Sequence, residues 1–146
     1  MPDMPLNPIA LLIATVAGFF LCYAWYNPLF GKAWAKEIGF VHNEPIPAPA
    51  LIKSLLLTVV TVFLIALVLA NNMAAWTPST WGIAGADLPK AAQALQAAVF
   101  TWLGFFLPGL LRGVAWEKRS WKLFAIDAGY YLTLLLVVSF ITVYMR

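Results

Sequence analysis

The chain has 146 residues, of which 63% are hydrophobic and only 10% are charged. A soluble domain is nearer half apolar and a quarter charged, so a water-soluble fold of this length would lack polar sequence for its surface. The mean hydropathy of +0.86 agrees. Composition therefore predicts one integral membrane domain over residues 1–146. It argues against a nucleic-acid-binding protein, because the net charge of +3 is not gathered into a basic stripe.

Four apolar runs divide the chain at about 9–26, 51–70, 91–111 and 121–144. Each run has 18 to 24 residues, and a helix needs about 20 residues to cross a hydrocarbon core of about 30 Å. Lipid cannot hydrogen-bond to open backbone groups, so each run is expected to be a helix. The prediction is an all-α bundle of four transmembrane helices with little mass outside the bilayer.

Basic residues are distributed unequally between the two sides of the predicted membrane domain. Seven of them fall in or beside loops 27–50 and 112–120: Lys32, Lys36, Lys53, Arg112, Lys118, Arg119 and Lys122. The opposite side has two, Lys90 and Arg146. Short loops rich in Lys and Arg stay in the cytoplasm. We therefore expect a multi-pass cell (inner) membrane protein with both loops cytoplasmic and both termini outside.

Two stretches of the chain resemble each other. The sequence Gly-Phe-Phe-Leu at 18–21 recurs at 104–107, and the pattern Gly-x-Ala-Trp-x-Lys at 31–36 recurs at 113–118. Each stretch covers the end of an inward-going helix and the basic loop after it. Two explanations are open. One is a tandem duplication of a two-helix unit with a twofold axis along the membrane normal, and the other is chance similarity between apolar segments.

Asp127 is the acid that lies inside an apolar run. A carboxylate at the centre of a membrane helix costs about 2.5–3.5 kcal/mol on insertion scales, so it needs a partner. Arg112 and Asp127 are equidistant from the turn near 119–120 that joins the last two helices. This symmetry predicts a salt bridge between them, either as a staple that fixes the helix hairpin or as an ion- or proton-responsive site.

Other residues indicate contacts between the helices. Gln93 and Gln96 lie three residues apart in the outer half of the third helix, hence on one face. There they either bond to a neighbouring helix or line a polar entrance. Small residues recur every four positions along the first helix: Ala10, Ala14, Gly18 and Cys22. That spacing allows close helix packing but does not identify the partner.

Several chemistries are excluded by the residues that the sequence lacks. The chain has one histidine, His42, and one cysteine, Cys22. It therefore cannot supply two histidines to a haem, a Ser-His-Asp group within the bilayer, or a cluster with metal-ligand spacing. It also lacks a glycine-rich phosphate loop. We expect a protein with no cofactor, no metal and no catalytic residue, that is, not an enzyme.

One motif closes the first predicted helix at the inner interface. Its marker residues are Trp25, Tyr26, Pro28, Gly31 and Trp34. The pattern Trp-Tyr-x-Pro-x-Phe-Gly-x-x-Trp resembles the signature of a family of small, mostly bacterial membrane proteins of unknown function, and the stretch 116–130 is similar to that family as well. The resemblance implies four helices and no established activity. That family often has an amide at the position of Asp127, which implies a hydrogen-bonding role there.

Three functions stay open at this stage. The first is a small permeation or transport protein that acts as a homo-oligomer, because four helices alone rarely enclose a pathway. The alternative is a non-catalytic accessory or assembly subunit of a larger membrane complex, which the small-residue faces suggest. A third is a lipid- or quinone-contacting enzyme subunit, suggested only by the inner aromatic residues. The expected partners are membrane lipids and either further copies of the chain or another membrane protein.

Overall fold

The computed structural model of the protein describes residues 4–41 and 44–146, and His42 lies outside them. All regular structure in these two ranges is helical. Four helices in this part of the chain are long and apolar enough to span a membrane: Pro8–Leu29, Ala48–Ala75, Lys90–Trp116 and Trp121–Tyr144. The predicted all-α membrane bundle is confirmed. The second and third spans extend several residues beyond the runs predicted from hydropathy.

The first span ends in a π-helical turn. Helix α1 (Pro8–Ala24) is followed by the turn Trp25–Leu29. Pro28 has no N–H for the carbonyl four residues before it, and the wider turn brings the next N–H into reach. The side chain of Asn27 donates to the Tyr23 carbonyl at 3.1 Å. The side chain thus supplies a hydrogen bond where the backbone of the helix is disturbed.

A short helix leads from the first span to the second. Helix α2 (Gly31–Ile38) ends at Gly39, whose φ of 75° lies in the left-handed region that favours glycine. Helix α3 (Ala48–Ala75) begins after Pro47, and Pro49 lies in its first turn, where proline is tolerated. A 3₁₀ turn, Pro78–Trp81, follows it. At 28 residues, α3 is long enough to reach beyond the hydrocarbon core at its ends.

The third span is also interrupted by a π-helical turn. It consists of α4 (Lys90–Thr101), the turn Trp102–Phe106 and α5 (Leu107–Trp116). Pro108 comes directly after this π turn, at the start of α5, and the helix continues past it. A short connection leads to α6 (Trp121–Tyr144). The third and fourth spans are therefore antiparallel neighbours.

Helix α6 is the central helix of the bundle. It packs against α1, α3 and α4, and its side chains Leu134, Leu135 and Val138 are fully buried. Helices α1 and α3 pack closely against each other, and so do α4 and α6. Helices α3 and α4 touch only sparingly. The α3–α4 edge is therefore the open edge of the bundle.

The small residues of α1 allow it to lie close to α3 and α6. Ala10, Ala14 and Gly18 are buried. A Cβ atom at position 18 would lie 2.5 Å from Val62 Cγ1 and 2.8 Å from Leu134 Cδ1. The small-residue face predicted from the sequence is thus an interface within the chain, between α1 and its two neighbours.

Both ends of the described chain lie at one end of the bundle. The Asn7 side chain donates to the Met145 carbonyl at 2.7 Å, which joins the start of α1 to the end of α6. We call this the terminal end. The opposite end, which carries α2 and the connection between α5 and α6, we call the basic end.

The two halves of the chain, α1–α3 and α4–α6, pack differently from what an exact duplication would give. A twofold axis along the membrane normal would exchange α1 with α4 and α3 with α6. Under that exchange the α1–α6 edge corresponds to the α3–α4 edge, yet only the first is closely packed. The π turns also differ, since one follows the stretch 18–21 and the other overlaps 104–107. The duplication stays a prediction, and the open edge is a difference between the two halves.

Candidate functional site

The first candidate site lies near the basic end, where the Trp25–Leu29 turn meets α6. The Tyr26 hydroxyl donates to Asp127 Oδ1 at 2.6 Å. Beside it, Trp25 Nε1 donates to the Ile126 carbonyl at 3.1 Å. A carboxylate in hydrocarbon requires such a donor. The π turn therefore supplies the partner that Asp127 needs.

Aromatic rings surround this hydrogen bond. The Trp34 ring, on α2, meets the Tyr26 ring edge-on at 5.4 Å between centroids, and the Tyr130 ring does so at 5.1 Å. Edge-on contacts of this kind favour a fixed arrangement of the rings. A Cβ atom at Gly129 would lie 3.1 Å from Trp25 Cζ2, so the glycine makes room for that ring.

The motif predicted at the inner interface is thus one cluster in the structure. Trp25, Tyr26 and Trp34 lie around the Asp127 hydrogen bond. Gly31 is buried at the start of α2. Pro28 is exposed, and it contributes by shaping the π turn rather than by contact.

The predicted Arg112–Asp127 salt bridge is wrong. Arg112 Nη2 lies 3.1 Å from Glu117 Oε1, and Arg119 Nε lies 3.0 Å from Glu117 Oε2. Equal distance from a turn fixes the depth of two residues but not the direction in which their side chains point. The Arg112 side chain is 73% exposed and reaches the nearer acid at the end of its own helix. Asp127 faces the first span instead.

Trp102, like Trp25, donates a hydrogen bond to the backbone of α6. The sequence alone did not predict this contact. Trp102 Nε1 donates to the Ala128 carbonyl at 2.8 Å, two residues from the Ile126 carbonyl that accepts from Trp25. Each of the two tryptophans begins a π turn. The position of Trp102 deep in an apolar span could have indicated the contact, because a buried indole N–H requires a hydrogen-bond acceptor.

The second candidate site is a groove between α3 and α4 at the terminal end. Its volume is about 420 Å³, within the range of about 300–1,000 Å³ typical of small-molecule sites. The part near the terminal end is lined by the polar side chains Asn72, Thr77, Gln93 and Gln96 and by the apolar side chains Met73, Trp76, Pro78 and Leu88. The part farther from that end is lined by Leu69, Ala97, Phe100 and Phe105, with Thr101 among them. Both predicted intramembrane amides therefore lie in one groove.

A hydrogen-bond network fixes the polar wall of the groove. Gln93 Nε2 donates to the Leu88 carbonyl at 2.7 Å, so its Oε1 is free to accept from Arg146 Nη2 at 2.9 Å. Arg146 Nη1 donates to Thr77 Oγ1 at 3.1 Å. The Thr77 hydroxyl in turn donates to the Met73 carbonyl at 2.6 Å. Arg146 thus fixes two of the lining side chains, while the residue itself lines a second, smaller cavity between α1, α3 and α6.

The loop at the mouth of the groove is tied down by Asp87. The Ser79 N–H donates to Asp87 Oδ1 at 2.8 Å, and Trp81 Nε1 donates to the Ala75 carbonyl at 2.7 Å. The hydrogen bonds from Ser79, with a smaller contribution from the Arg146 charge, hold the pKa of the Asp87 carboxyl below its ordinary range. The Asp87 carboxylate therefore stabilises the conformation of this loop.

The chain can be placed among known proteins on its sequence. The model of one family matches residues 9–143, nearly the full length. The chain belongs to the DUF1761 family. The predicted resemblance is therefore confirmed. Because the family is described only by its unknown function, it assigns no activity and no site residue to the DUF1761 chain. No curated protein and no solved structure matches it.

Each of the two sites of this DUF1761 protein has an aspartate in or beside it. Asp127 and Asp87 each accept a hydrogen bond from a neighbour within the chain. Within residues 4–41 and 44–146, no three His, Cys, Asp or Glu side chains gather as a metal-binding set. What the second site presents to another molecule is a groove lined by amide and hydroxyl groups near the terminal end and by the rings of Phe100 and Phe105 farther from it.

Proposed function

We propose that this DUF1761 protein is a small membrane transport protein that receives its substrate in the α3–α4 groove and acts as a homo-oligomer. The observation that supports the proposal is the groove itself, about 420 Å³ in a chain made almost entirely of membrane spans. A site that offers amide and hydroxyl groups as well as phenyl rings suits a solute that enters or crosses the bilayer. The groove residues offer no reactive group, and we propose that the chain is not an enzyme.

The homo-oligomer follows from how the single chain is filled. Side chains at its centre are at most 1% exposed, among them Val62, Leu134 and Val138. A path across the bilayer therefore has to run along the outside of the described bundle, between copies. The second and third spans have the most exposed surface for contacts between copies. Only 11% of the most apolar stretch of each is buried, against 28% in the first span and 39% in the fourth. These two spans also form the groove.

We also place the basic end in the cytoplasm of a cell (inner) membrane, which puts the groove mouth and both termini outside. The support is the excess of Lys and Arg at the basic end. The test uses single cysteines, Ala84→Cys at the terminal end and Glu44→Cys at the basic end, in a Cys22→Ser background. A membrane-impermeant maleimide applied to intact cells should label only the first. Labelling of the second alone would overturn this orientation.

Reconstitution tests the transport proposal. Liposomes that contain the purified protein should exchange at least one solute, from a panel of ions and small neutral and charged molecules, faster than protein-free liposomes. Gln96→Trp places a large ring in the groove and should lower this flux several-fold. Leu95→Trp is the matched control, because Leu95 is the neighbouring position and does not line the groove. Flux no faster than in protein-free liposomes for the entire panel would overturn the proposal.

The second candidate function is a non-catalytic accessory or assembly subunit of a larger membrane complex. The observation that favours it is the outer face of α3, where Leu56, Leu64 and Val68 are each more than half exposed. A partner helix would cover this face, although lipid also satisfies it. A defined complex with other polypeptides in mild detergent, together with an isolated chain that moves no solute, would favour this function over transport.

A further inference from the structure

We infer that the basic end of the bundle binds anionic phospholipids from the leaflet around it, and that Lys32 and Lys36 of α2 hold their headgroups. The inference names a lipid class that surrounds the protein rather than a transported substrate, so it does not rest on the proposed transport function. Three observations support it: the excess of positive charge, the lysines left without an ion pair, and the exposed apolar side chains beside them.

The positive charge of the chain is concentrated at the basic end. Seven basic residues lie in or beside the loops of this end, and the same loops contain three acids: Glu37, Glu44 and Glu117. The terminal end has two basic residues, Lys90 and Arg146, and two acids, Asp3 and Asp87. The loops of the basic end therefore have four positive charges in excess, whereas the terminal end is balanced. Clusters of about 4–8 basic residues beside a membrane helix are typical of proteins that bind anionic lipids.

Most of this charge is not neutralised by the protein itself. Glu117 pairs with Arg112 and with Arg119, and these are the ion pairs of the part of the chain that the structure describes. The other five basic residues of this end are all exposed lysines: Lys32, Lys36, Lys53, Lys118 and Lys122. Their ammonium groups are therefore available to anions from outside the bundle.

Helix α2 presents two of these lysines on one face. Gly31 and Ala35 lie four positions apart and are buried against the bundle. Lys32 and Lys36 are also four positions apart, hence on one side of the helix, and both are exposed. The buried face fixes the helix, so the two ammonium groups are held near each other rather than on a free loop.

The packing of α2 places it next to the start of α6. The Trp34 ring of α2 meets the Tyr26 ring at 5.4 Å between centroids, and Tyr26 donates to Asp127 of α6. Arg119, in the connection before α6, lies close enough for its charge to act on the same carboxylate. The lysines of α2 and the basic α5–α6 connection are therefore neighbours at the basic end.

Exposed apolar side chains beside these basic residues favour a lipid over a soluble anion. Trp116 and Trp121, which flank Lys118 in the sequence, are 84% and 65% exposed. Ile38 and Phe40, at the end of α2, are each 43% exposed. Tryptophan rings prefer the level of the lipid headgroups, and lysine can extend its ammonium group to a phosphate while its stem stays in apolar surroundings. A phospholipid contacts both kinds of side chain, whereas a soluble acidic polymer contacts only the charges.

The first experiment compares headgroups on the intact protein. Purified protein in micelles is mixed with equal amounts of phosphatidylglycerol and phosphatidylcholine of the same acyl chains, and retained lipids are counted by native mass spectrometry. Phosphatidylglycerol should be retained at least about tenfold in preference, since each lysine near an anionic membrane surface contributes about fivefold in affinity. Equal retention of the two lipids overturns the inference.

Soluble anions are tested in the same preparation. Inorganic phosphate at the concentration of the lipid should not displace phosphatidylglycerol, and displacement would indicate a site for a free anion instead. Poly-glutamate offered without lipid should not be retained. Its retention, together with equal retention of the two lipids, would assign the surface to an acidic protein.

The second experiment locates the binding surface with paired variants. Lys32→Gln combined with Lys36→Gln should lower the preference for phosphatidylglycerol about fivefold, and arginine at both positions should keep it. Lys90→Gln removes an exposed lysine from the terminal end and should change the preference by less than about twofold. A preference that is unchanged in the folded glutamine double variant, or that falls as far in Lys90→Gln, overturns the assignment to α2. Neither experiment measures flux, so their outcome is independent of the reconstitution test of transport.

Discussion

Tyr26 Oη and Asp127 Oδ1 lie 2.6 Å apart and join the end of the first span to the last span across 101 positions. The hydrogen bond explains how a carboxylate is accommodated within an apolar helix. It also gives the aromatic motif a structural purpose, because the π turn at Pro28 presents Tyr26 and Trp25 to the same stretch of α6.

The first prediction concerns that hydrogen bond. Tyr26→Phe should lower the free energy of unfolding by about 1–3 kcal/mol, because it leaves the half-buried Asp127 without its donor. Asp127→Asn should lower it by less than about 1 kcal/mol, since the amide oxygen accepts the same bond. Both values are measured by reversible unfolding in mixed micelles of mild detergent and dodecyl sulfate. Tyr23→Phe, on an exposed ring, is the control and should have no effect. An Asp127→Asn loss as large as that of Tyr26→Phe would contradict the prediction.

The second prediction concerns Arg112. Its ion pair with Glu117 joins side chains that are 73% and 43% exposed, and exposed pairs contribute little to stability. Arg112→Ala should therefore change the free energy of unfolding by no more than about 0.5 kcal/mol in the same assay. A loss similar to that of Tyr26→Phe would mean that Arg112 interacts with Asp127 after all.

Much of the fold could be predicted from the sequence, because hydropathy and length decide which segments cross a membrane. The rotation and packing of the helices could not. In a membrane protein the faces toward lipid and toward the core are both apolar, so the sequence does not distinguish them. Helix α6 is less apolar than α3, yet 39% of its most apolar stretch is buried, against 11% for α3.

The candidate sites could be predicted in part for a related reason. The need of Asp127 for a partner followed from the cost of a charge in lipid, but the partner itself depends on a π turn that rotates Tyr26 toward α6. In the groove, Gln93 and Gln96 were evident as intramembrane amides. Thr77, which also lines the groove, and Arg146, which bonds to both Thr77 and Gln93, come from distant parts of the chain and meet only in the folded bundle.

The third prediction separates the two Gly-Phe-Phe-Leu stretches. Gly18→Ala should lower the free energy of unfolding by about 1–3 kcal/mol, because the new Cβ would lie 2.5 Å from the fully buried Val62 and 2.8 Å from Leu134. Gly104→Ala is the matched control in the second stretch. A Cβ there meets nothing within 4 Å, so the variant should be neutral or slightly stabilised. A Gly18→Ala variant as stable as the unchanged protein would show that the surroundings of Gly18 are looser than this packing requires.

The last prediction concerns pH and the loop over the groove. Hydrogen bonds from Ser79 lower the pKa of the folded-state Asp87 carboxyl, relative to an ordinary value of about 3.9. The carboxylate therefore stabilises the loop at every pH above that ordinary value, and the stabilisation is lost as the pH falls through the lower folded-state pKa. The Ser79 amide resonance, followed by nuclear magnetic resonance in micelles, should titrate with a midpoint below 3.9, and in Asp87→Asn that titration should disappear. A midpoint at or above about 3.9 would mean that Ser79 does not hold the carboxylate, and the loop that contributes Pro78 and Leu88 to the groove would then lack this anchor.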